Sequence, residues 1–254
     1  MKAPKISIII PVLNEAATIE QTLTRVQQAT DIEVIVVDGG SRDETIAIAK
    51  RWCKVQLTKN ISPTVLPSLP IKVISAAAGR ANQMNAGAAV AKGDVLLFLH
   101  ADTCLPPGFD TLLLWALQDA GTIAGAFELR IDAQLLGLRL IEKMVSMRSR
   151  FLSLPYGDQA IFMKASVFHE IDGFPDLPIM EDFELMLCLR RLGRITIVPA
   201  AVLTSGRRWQ KLGVLKTTLI NQLVIAGYFL GVPPTQLMQW YRQGGFKRSK
   251  TPIQ

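Results

Sequence analysis

The first hundred residues alternate between short apolar runs and amphipathic stretches, and no other feature restricts the fold of this chain as strongly. The apolar runs have the length of strands and lie at residues 6–10, 33–38, 71–76 and 94–100. The stretches with the apolar spacing of helices are 16–30, 43–52 and 80–91. Strands that are apolar along almost their whole length, with helices between them, are typical of a parallel sheet covered on both faces. We therefore predict an α/β fold with a Rossmann-like, mostly parallel sheet and helices on both of its faces.

The second half of the chain is less regular but contains elements of both kinds. The predicted elements are helices at 112–119, 134–151 and 180–193, a strand with one exposed face at 124–131, and a turn with a strand at 156–163. Residues 56–70 contain several prolines and predict a connecting loop. Neither a repeat nor a linker divides the sequence, so we predict a single domain over residues 1–254 that ends in C-terminal helices.

The composition restricts the partners of this protein. Apolar residues make up 49% of the chain and charged residues 19%, which is typical of a globular protein. The net charge of +7 favours an anionic partner, such as a nucleotide, a phosphorylated substrate, nucleic acid or an anionic membrane surface. The basic residues are scattered and lack the interleaved aromatic residues that bind single strands. We therefore expect no nucleic-acid partner.

The cysteines and the apolar runs predict the cellular location of the protein. Cys53, Cys104 and Cys188 have neither CxxC spacing nor a neighbouring histidine, which disfavours disulfides and structural zinc and favours a reducing, cytoplasmic location. The N-terminal apolar run is too short for a secretory leader. No stretch reaches the roughly 18–20 apolar residues that span a bilayer. We therefore expect neither a leader nor a transmembrane segment.

Polar clusters follow three of the predicted strands. They are Asn14 and Glu15 after the first strand, "DGGSRDET" after the second, and His100 and Asp102 after the fourth. The carboxyl ends of parallel strands lie along one edge of a sheet, so we expect these clusters to converge in one crevice. Alternatively, Asn14, Asp38 and Ser41 cap helices. Capping accounts for one residue per loop but not for acids at three strand ends, so we predict a functional site at this edge.

Five sequence blocks resemble a known family. In order, they are "SIIIPVLNE", "EVIVVDGGSRDET", "GRANQMNAG", "GDVLLFLHADT" and "MEDFELMLCLRRLG". Together they resemble family 2 glycosyltransferases of the GT-A fold, most closely the small bacterial branch, over about residues 5–210. The resemblance implies a nucleotide-binding half at 1–103, an acceptor-binding and catalytic half at 104–210, and a helical tail at 211–254.

The resemblance implies a donor site for a nucleotide diphosphate-sugar. Its residues are Pro11, Leu13, Glu15, Asp38, Gly39, Gly40, Arg80, Asn85, His100, Ala101 and Asp102. Asp38 would bind the base, usually uracil, because a carboxylate accepts a hydrogen bond from the imide N–H. Arg80 would lie beside the diphosphate, as a cation suits that position. The alternative for Arg80 is a solvent-exposed arginine at the start of a helix.

"HAD" aligns with the Asp-x-Asp motif of this family. The resemblance implies that Asp102 binds Mn²⁺ or Mg²⁺, which bridges the donor phosphates and neutralises the departing nucleoside diphosphate. His100 replaces the first acid of the motif. It could ligate the metal, with a preference for Mn²⁺, or contact the ribose. Alternatively, it is a strand-end histidine hydrogen-bonded to the backbone.

"MED" matches the family's Glu-Asp pair. The resemblance implies that Asp182, with Glu181 beside it, is the general base that removes a proton from the acceptor hydroxyl, an effect worth about 10²–10⁴ in rate. The alternative is that both acids only stabilise the start of a helix. Gly157, Asp158 and Gln159 occupy the acceptor-side positions of the family.

"TSGRRWQK" follows the last strand of the predicted core. The resemblance suggests that Arg207 and Arg208 reach the diphosphate and that Trp209 closes over the sugar or the acceptor. The alternative is that these arginines face solvent at the start of a helix.

The tail has apolar residues at helical spacing. They are Leu215, Leu219, Leu223, Ala226 and Leu230. We expect this stripe to pack against the domain. The alternative is an interfacial helix, flanked by Lys216, Arg242, Lys247 and Arg248, that lies on the anionic inner face of a membrane and serves a lipid-linked acceptor.

The function predicted by the sequence is that of an inverting, metal-dependent glycosyltransferase. It would move a sugar, a hexose by type, from a nucleotide diphosphate-sugar to a hydroxyl acceptor, with UDP the preferred nucleotide and GDP the alternative. A catalytically silent nucleotide-sugar-binding protein is one rival, because the Asp-x-Asp motif is altered. A nucleotidyltransferase is another, but "PVLNEAAT" lacks the glycine-rich basic loop that such enzymes carry after the first strand.

Overall fold

The computed structural model describes residues 5–55 and 70–244. The predicted loop at 56–70 therefore lies outside the described residues except for its last position, and Lys247 and Arg248 lie outside them as well. The strands are β1 Ile6–Val12, β2 Ile32–Asp38, β3 Ile71–Ser75, β4 Val95–Phe98, β5 Thr103–Cys104, β6 Thr122–Asp132, β7 Phe162–Lys164 and β8 Arg194–Ser205. The helices are α1 Ile19–Val26, α2 Thr45–Val55, α3 Arg80–Ala89, α4 Phe109–Gln118, α5 Leu138–Leu152, α6 Ala165–Glu170, α7 Glu181–Leu192, α8 Arg207–Leu212, α9 Val214–Phe229 and α10 Pro234–Gln243, with a 3-10 turn at Gly157–Gln159.

The strands form one eight-stranded sheet in the order β3-β2-β1-β4-β7-β6-β8-β5. Strands β3, β2, β1 and β4 are parallel, as are β6 and β8. The short strand β7 pairs antiparallel with both β4 and β6 and so joins the two parallel groups. The predicted α/β fold with a mostly parallel sheet is confirmed.

Two apolar layers cover the sheet, one on each face. Ile8 and Ile10 of β1 point into the layer that receives α1, α2, α4 and the start of α5, whereas Ile9 points into the layer formed by α3, α6, α7, α9 and α10. Both layers are buried, and this is why the strands of the first half are apolar at nearly every position.

Two predicted strands differ from those in the structure. β4 ends at Phe98, so His100 lies in the turn after the strand rather than at its last position. In β6 only the last residues alternate between buried and exposed, because the strand lies inside the sheet between β7 and β8. The expected exposed face along the whole of this strand is therefore wrong.

The predicted packing of the tail is also wrong. Leu215 is 87% exposed and Leu230 is 82% exposed, and the other residues of that stripe also face outward. The packed face of α9 contains Ile220, Val224 and Gly227 instead. A Cβ at Gly227 would lie 2.8 Å from side-chain atoms of both Leu237 and Trp240, so this glycine permits the close approach of α10. In the described part of the chain, no helix is long and apolar enough to cross a membrane.

Candidate active site

The loops after β1 and β2 are bonded to each other. The backbone N–H of Asn14 donates to Ser41 Oγ at 3.0 Å, and Asn14 Oδ1 accepts from the Arg42 N–H at 2.8 Å. The N–H of Glu15 donates to Thr45 Oγ1 at 2.8 Å. Helix α1 begins without a side-chain cap, so Asn14 does not cap it. Asn14 and Ser41 instead join the loops after β1 and β2 to each other.

Asp38 is buried at the end of β2. Its Oδ2 accepts from the Gly40 N–H at 3.1 Å and its Oδ1 from the Ser41 N–H at 3.0 Å, which shapes the turn. Gly40 has a φ of +98°, a conformation that favours glycine. A carboxylate has about four acceptor sites, so these bonds leave acceptor capacity for a ligand.

Gln83 lies beside the candidate site, and the sequence analysis did not predict its role there. Its buried Nε2 donates to the Val12 carbonyl at 2.8 Å and to the Val37 carbonyl at 2.7 Å, so it joins the ends of β1 and β2. A Cβ at Gly39 would lie 2.9 Å from Gln83 Cδ, which explains the glycine there. The only sequence signal was a polar residue at a core position of the predicted helix 80–91.

Asp102 meets Glu15 at the guanidinium of Arg207. Arg207 Nη2 lies 2.8 Å from Glu15 Oε2 and 3.1 Å from Asp102 Oδ2. The pairing of β5 with β8 brings these residues together, and the Ser205 N–H donates to the Asp102 carbonyl at 3.0 Å. Hydrogen bonds to Glu15 and then to Asp102 raise the pKa of Arg207 further. Of the two predicted arginines, Arg207 is the one that reaches the strand ends.

Asp182 and His100 meet at Gly157. Asp182 Oδ2 accepts from the Gly157 N–H at 2.6 Å, and its Oδ1 accepts from the Phe183 N–H at 2.8 Å. A Cβ at Gly157 would lie 3.0 Å from His100 Nε2 and 3.2 Å from Asp182 Oδ2. The loop after β4 and the start of α7 therefore contact the same glycine.

Arg80 forms an ion pair with Glu181. Its Nη1 lies 3.2 Å from Glu181 Oε1, which is buried, while the arginine side chain is 49% exposed. Burial, and then the charge of Asp182, raise the pKa of Glu181, whereas Arg80 lowers it. Arg80 does begin a helix, but its guanidinium is bonded to Glu181 rather than free in solvent.

Two buried side chains of the site have an atom without a hydrogen-bond partner among the described residues. These atoms are His100 Nε2 and Asp158 Oδ1. Burial, with a contribution from Arg80, lowers the pKa of His100 to about 3, so its imidazole is neutral. Burial raises the pKa of Asp158 to about 6, with Arg148 acting against it. A buried nitrogen and a buried carboxyl oxygen therefore remain available to a ligand.

Asn85, which is predicted to line the donor pocket, binds the backbone of Phe174. Its Nδ2 donates to the Phe174 carbonyl at 2.8 Å and its Oδ1 accepts from the Phe174 N–H at 2.9 Å. Both ends of the amide are thus used to hold the segment before α7. The sequence motif predicted where Asn85 lies along the chain, but it did not predict that the Asn85 amide binds backbone groups.

Gln159 and Arg208 also have structural partners. Gln159 is fully buried, donates to the Phe127 carbonyl at 2.8 Å and accepts from Ser149 Oγ at 2.9 Å, so both ends of its amide have partners within the protein. Arg208 donates to the Tyr241 carbonyl at 2.8 Å, and its guanidinium stacks 3.7 Å from the centre of that ring. Arg208 therefore fixes α8 to α10 and does not reach the strand ends.

The remaining predicted residues lie where their loops place them. Leu13 is 46% exposed beside the half-buried Pro11, and Trp209 packs partly against the apolar layer of α1 and α4. The carbonyl of Ala101 accepts from Thr22 Oγ1 at 2.8 Å, which fixes the turn that carries His100 and Asp102. The contacts of these residues with a ligand stay predictions.

The site fits a divalent ion that shares its coordination with a ligand. Residues 5–55 and 70–244 contain no group of three or more His, Cys, Asp or Glu side chains that could hold a metal ion. Such a group is not needed where one or two carboxylates bind Mg²⁺ together with substrate phosphates. Asp102 supplies an oxygen donor, and the unpartnered Nε2 of His100 is a nitrogen donor that suits Mn²⁺.

Comparisons with known proteins show which family and which structures the chain is similar to. Residues 7–170 match the family model described as Glycosyl transferase family 2. A PGL/p-HBAD biosynthesis glycosyltransferase of Mycobacterium bovis is 38% identical over 110 residues, which cover 41% of this chain and 38% of that one. The probable glycosyltransferase YdaM of Bacillus subtilis is 28% identical over 218 residues, which cover 78% of this chain and 50% of that one. The chain thus spans half or less of the length of these relatives.

Among solved structures, the fold is similar to a mannosyltransferase of Pyrobaculum calidifontis in complex with GDP-Man and Mn²⁺. The TM-score is 0.67 at 20% sequence identity, and the match covers 87% of this chain and 62% of that chain. At this identity the similarity establishes the fold, which is GT-A.

Proposed function

Because the chain belongs to glycosyl transferase family 2, we propose that it moves a sugar from a nucleotide diphosphate-sugar to a hydroxyl acceptor. The observation that carries this proposal is the meeting of His100 and Asp182 at Gly157. It brings the turn that contains Asp102 next to a carboxylate at the start of a helix. The edge that we propose to bind the donor would thus lie next to the proposed proton acceptor, an arrangement that a sugar transfer requires.

The donor nucleotide would lie along the ends of β1 and β2. Asp38, buried and held by its own turn, would accept from the base, and Pro11 and Leu13 would frame the base and the ribose. We propose UDP as the nucleotide because it is the usual donor nucleotide of the family that the sequence blocks resemble. The structural neighbour from Pyrobaculum calidifontis binds GDP-Man, so GDP-sugars are the alternative to test.

Asp182 would act as the general base. Hydrogen bonds from the Gly157 and Phe183 N–H groups to its two oxygens fix its orientation. The carboxylate would take the proton of the acceptor hydroxyl as that oxygen attacks the anomeric carbon and the bond to the diphosphate breaks. A single displacement of this kind inverts the configuration at that carbon. Asp158, in the same loop as Gly157, would face the acceptor.

Asp102, with His100 beside it, would hold Mn²⁺ or Mg²⁺. When bound, such an ion neutralises charge on the diphosphate leaving group. Arg207, which now contacts Asp102, would contribute a positive charge to the same phosphates. We further propose that the acceptor is lipid-linked and that the protein works in the cytoplasm at the inner face of the membrane.

Donor binding and donor turnover, measured separately, test this proposal. In a thermal-shift screen of UDP-, GDP- and dTDP-sugars with and without Mn²⁺, at least one donor should stabilise the protein. The same donor should be hydrolysed slowly, and Asp182→Asn should abolish hydrolysis while the donor still binds. Binding without turnover in the wild type would identify a silent nucleotide-sugar-binding protein. If no donor stabilises the protein, the donor-site assignment is wrong.

A further inference from the structure

Helix α5 exposes a continuous apolar stripe. Its residues are Leu136, Leu140, Met144, Met147 and Phe151. The spacing of four, four, three and four residues places them on one side of the helix and of the turn before it. Leu136 is 99% exposed and Phe151 is 79% exposed, so these side chains contribute nothing to the core. An exposed apolar stripe of this length on a helix indicates an interaction site.

Helix α9 exposes a second stripe. Its exposed large apolar residues are Leu215, Leu219, Leu223, Phe229 and the following Leu230. The opposite side of the helix packs against the core through Ile220 and Val224. α9 is thus apolar on both sides, although most of the side chains on its outward side are exposed.

The two helices are close to each other at their starts and are connected through Phe183 of α7 near their ends. At their starts, a Cβ at Gly137 would lie 3.6 Å from Val214 Cγ1. Near their ends, the Tyr156 and Phe183 rings are 6.3 Å apart and the Phe183 and Phe229 rings 5.7 Å apart, between centroids. Phe183 directly follows Asp182, so the two helices flank the proposed catalytic carboxylate. We call the two stripes together the α5–α9 surface.

Basic residues border this surface. By helical spacing, Arg139, Lys143 and Arg150 lie along one edge of the α5 stripe, and Lys216 lies beside the α9 stripe. Arg139 and Arg150 are paired with Glu142 and Glu128. Lys143 and Lys216 are exposed and form no ion pair with any residue that the structure describes. The unbalanced charge at the border of the surface is therefore positive.

We propose that the α5–α9 surface docks onto an anionic phospholipid membrane. The apolar side chains would enter the boundary between headgroups and acyl chains, and the border lysines would contact the anionic headgroups. A second copy of this chain fits less well, because it carries the same net charge of +7 and would bring like charges together.

This orientation would bring a lipid-linked hydroxyl to the site. Arg148 and Ser149 of α5 bond to Gln159, which lies next to Asp158 in the acceptor-side loop. A bilayer under α5 and α9 would therefore lie at the acceptor side of Asp182. The docking proposal extends the proposed lipid-linked acceptor, but it can be tested without any turnover.

Co-sedimentation of the full-length protein with vesicles tests the proposal. We expect binding to vesicles of equal parts phosphatidylglycerol and phosphatidylcholine, and much weaker binding to phosphatidylcholine alone. The double variants Met144→Glu/Phe151→Glu and Leu219→Glu/Leu223→Glu should each lower partitioning by at least about tenfold, because each removes two inserted side chains. Lys143→Gln/Lys216→Gln should lower binding to the anionic vesicles by about tenfold.

Leu192→Glu is the matched control. Leu192 is also exposed and apolar, but it lies just before the first residue of β8. Helices α8 and α9 follow the last residue of β8, so Leu192 is at the opposite end of this strand from α9. This variant should bind like the wild type, and circular dichroism should show that all variants are folded.

The proposal is overturned if the wild type does not sediment with anionic vesicles or if the stripe variants bind as well as the wild type does. It is also overturned if light scattering shows a dimer that the stripe variants convert to monomers. Donor stabilisation is measured without vesicles, so a failure of docking is distinguishable from a failure of the proposed function.

Discussion

Arg207 Nη2 lies 3.1 Å from Asp102 Oδ2, so the residue predicted to ligate a metal is already paired with a protein cation. The same nitrogen contacts Glu15 Oε2 at 2.8 Å, and the arginine therefore neutralises two carboxylates at the strand ends. A divalent ion on Asp102 would compete with this ion pair. Arg207 thus connects two properties of the site, the affinity for metal and the affinity for the donor phosphates.

Arg207→Gln should change these two affinities in opposite directions. Without the guanidinium, Mn²⁺ should bind about threefold or more tightly in the absence of nucleotide, because removal of a nearby positive charge favours a cation on Asp102. The affinity for the nucleotide diphosphate should fall, because a charged hydrogen-bond donor to phosphate is lost. Electron paramagnetic resonance of free Mn²⁺ and calorimetry with UDP would measure the two affinities.

Arg194→Gln is the control for this prediction, since Arg194 pairs with Asp119 at the opposite end of β8. It should leave both affinities unchanged, and Asp102→Asn should weaken Mn²⁺ binding. An Arg207→Gln protein with wild-type affinity for Mn²⁺ would show that the metal does not use Asp102 or does not compete with the arginine.

Gly157→Ala should reduce turnover much more than stability. The new methyl group would lie 3.0 Å from His100 Nε2 and 3.2 Å from Asp182 Oδ2, so at least one of these side chains must move. A small displacement of a catalytic group is costly, and we expect donor hydrolysis to fall by about tenfold or more. The thermal midpoint should change little, since the contacts are with side chains at the crevice and not with the core.

Gly125→Ala provides the contrast. A methyl group there would collide with the Phe162 ring and the Thr196 carbonyl inside the sheet, so its main effect should be a large fall in the thermal midpoint. Equal losses of stability in the two variants would mean that Gly157 is a packing residue, and the meeting of His100 and Asp182 would lose its significance.

The positions of Asp38 and Asp102 at one edge of the sheet could be predicted from the sequence, because the carboxyl ends of parallel strands meet there. Asp182 begins a helix, and its position was predicted only from the resemblance to a known family. Gln83 escaped prediction because its role is to satisfy the carbonyls of Val12 and Val37, which no pattern of side chains reveals. For the same reason, the partner of Asn85 could be identified only in the folded chain.

The orientation of α9 could not be predicted because this helix is apolar on both sides. Periodicity predicts an apolar face but does not distinguish between two of them. The buried face is determined by the close contact of Gly227 with Leu237 and Trp240, which depends on the return of α10. A stripe of leucines at helical spacing was therefore assigned to the core although it faces outward.

Asp158→Asn should change how stability depends on pH. In the folded protein the pKa of Asp158 is raised to about 6 from an ordinary value of 3.8, so the folded state retains a proton that the unfolded state has lost. This carboxyl therefore makes the wild type less stable as the pH rises from about 4 to about 6, by about 1.4 kcal/mol per pH unit. The amide does not titrate, so the variant should gain stability relative to the wild type over this range.

Urea unfolding at several pH values between about 4 and 7 would measure the effect of Asp158→Asn. A difference between wild type and Asp158→Asn that is constant with pH would contradict the burial of this carboxyl in its protonated form.

His100→Asn should show the opposite trend. Burial lowers the pKa of His100 to about 3, whereas an unfolded histidine titrates near about 6.5. Below that pH the unfolded state gains a proton that the folded state excludes, so the wild type loses stability as the pH falls from about 6.5 toward 3. The asparagine variant lacks this penalty and should become relatively more stable as the pH falls.

The pH dependences of stability due to His100 and Asp158 have opposite signs, so they should partly cancel in the wild type and become visible separately in the two variants. If the relative stability of His100→Asn does not change between about pH 4 and 6.5, the imidazole takes up a proton in the folded state, and it could not serve as a neutral metal ligand below pH 6.5.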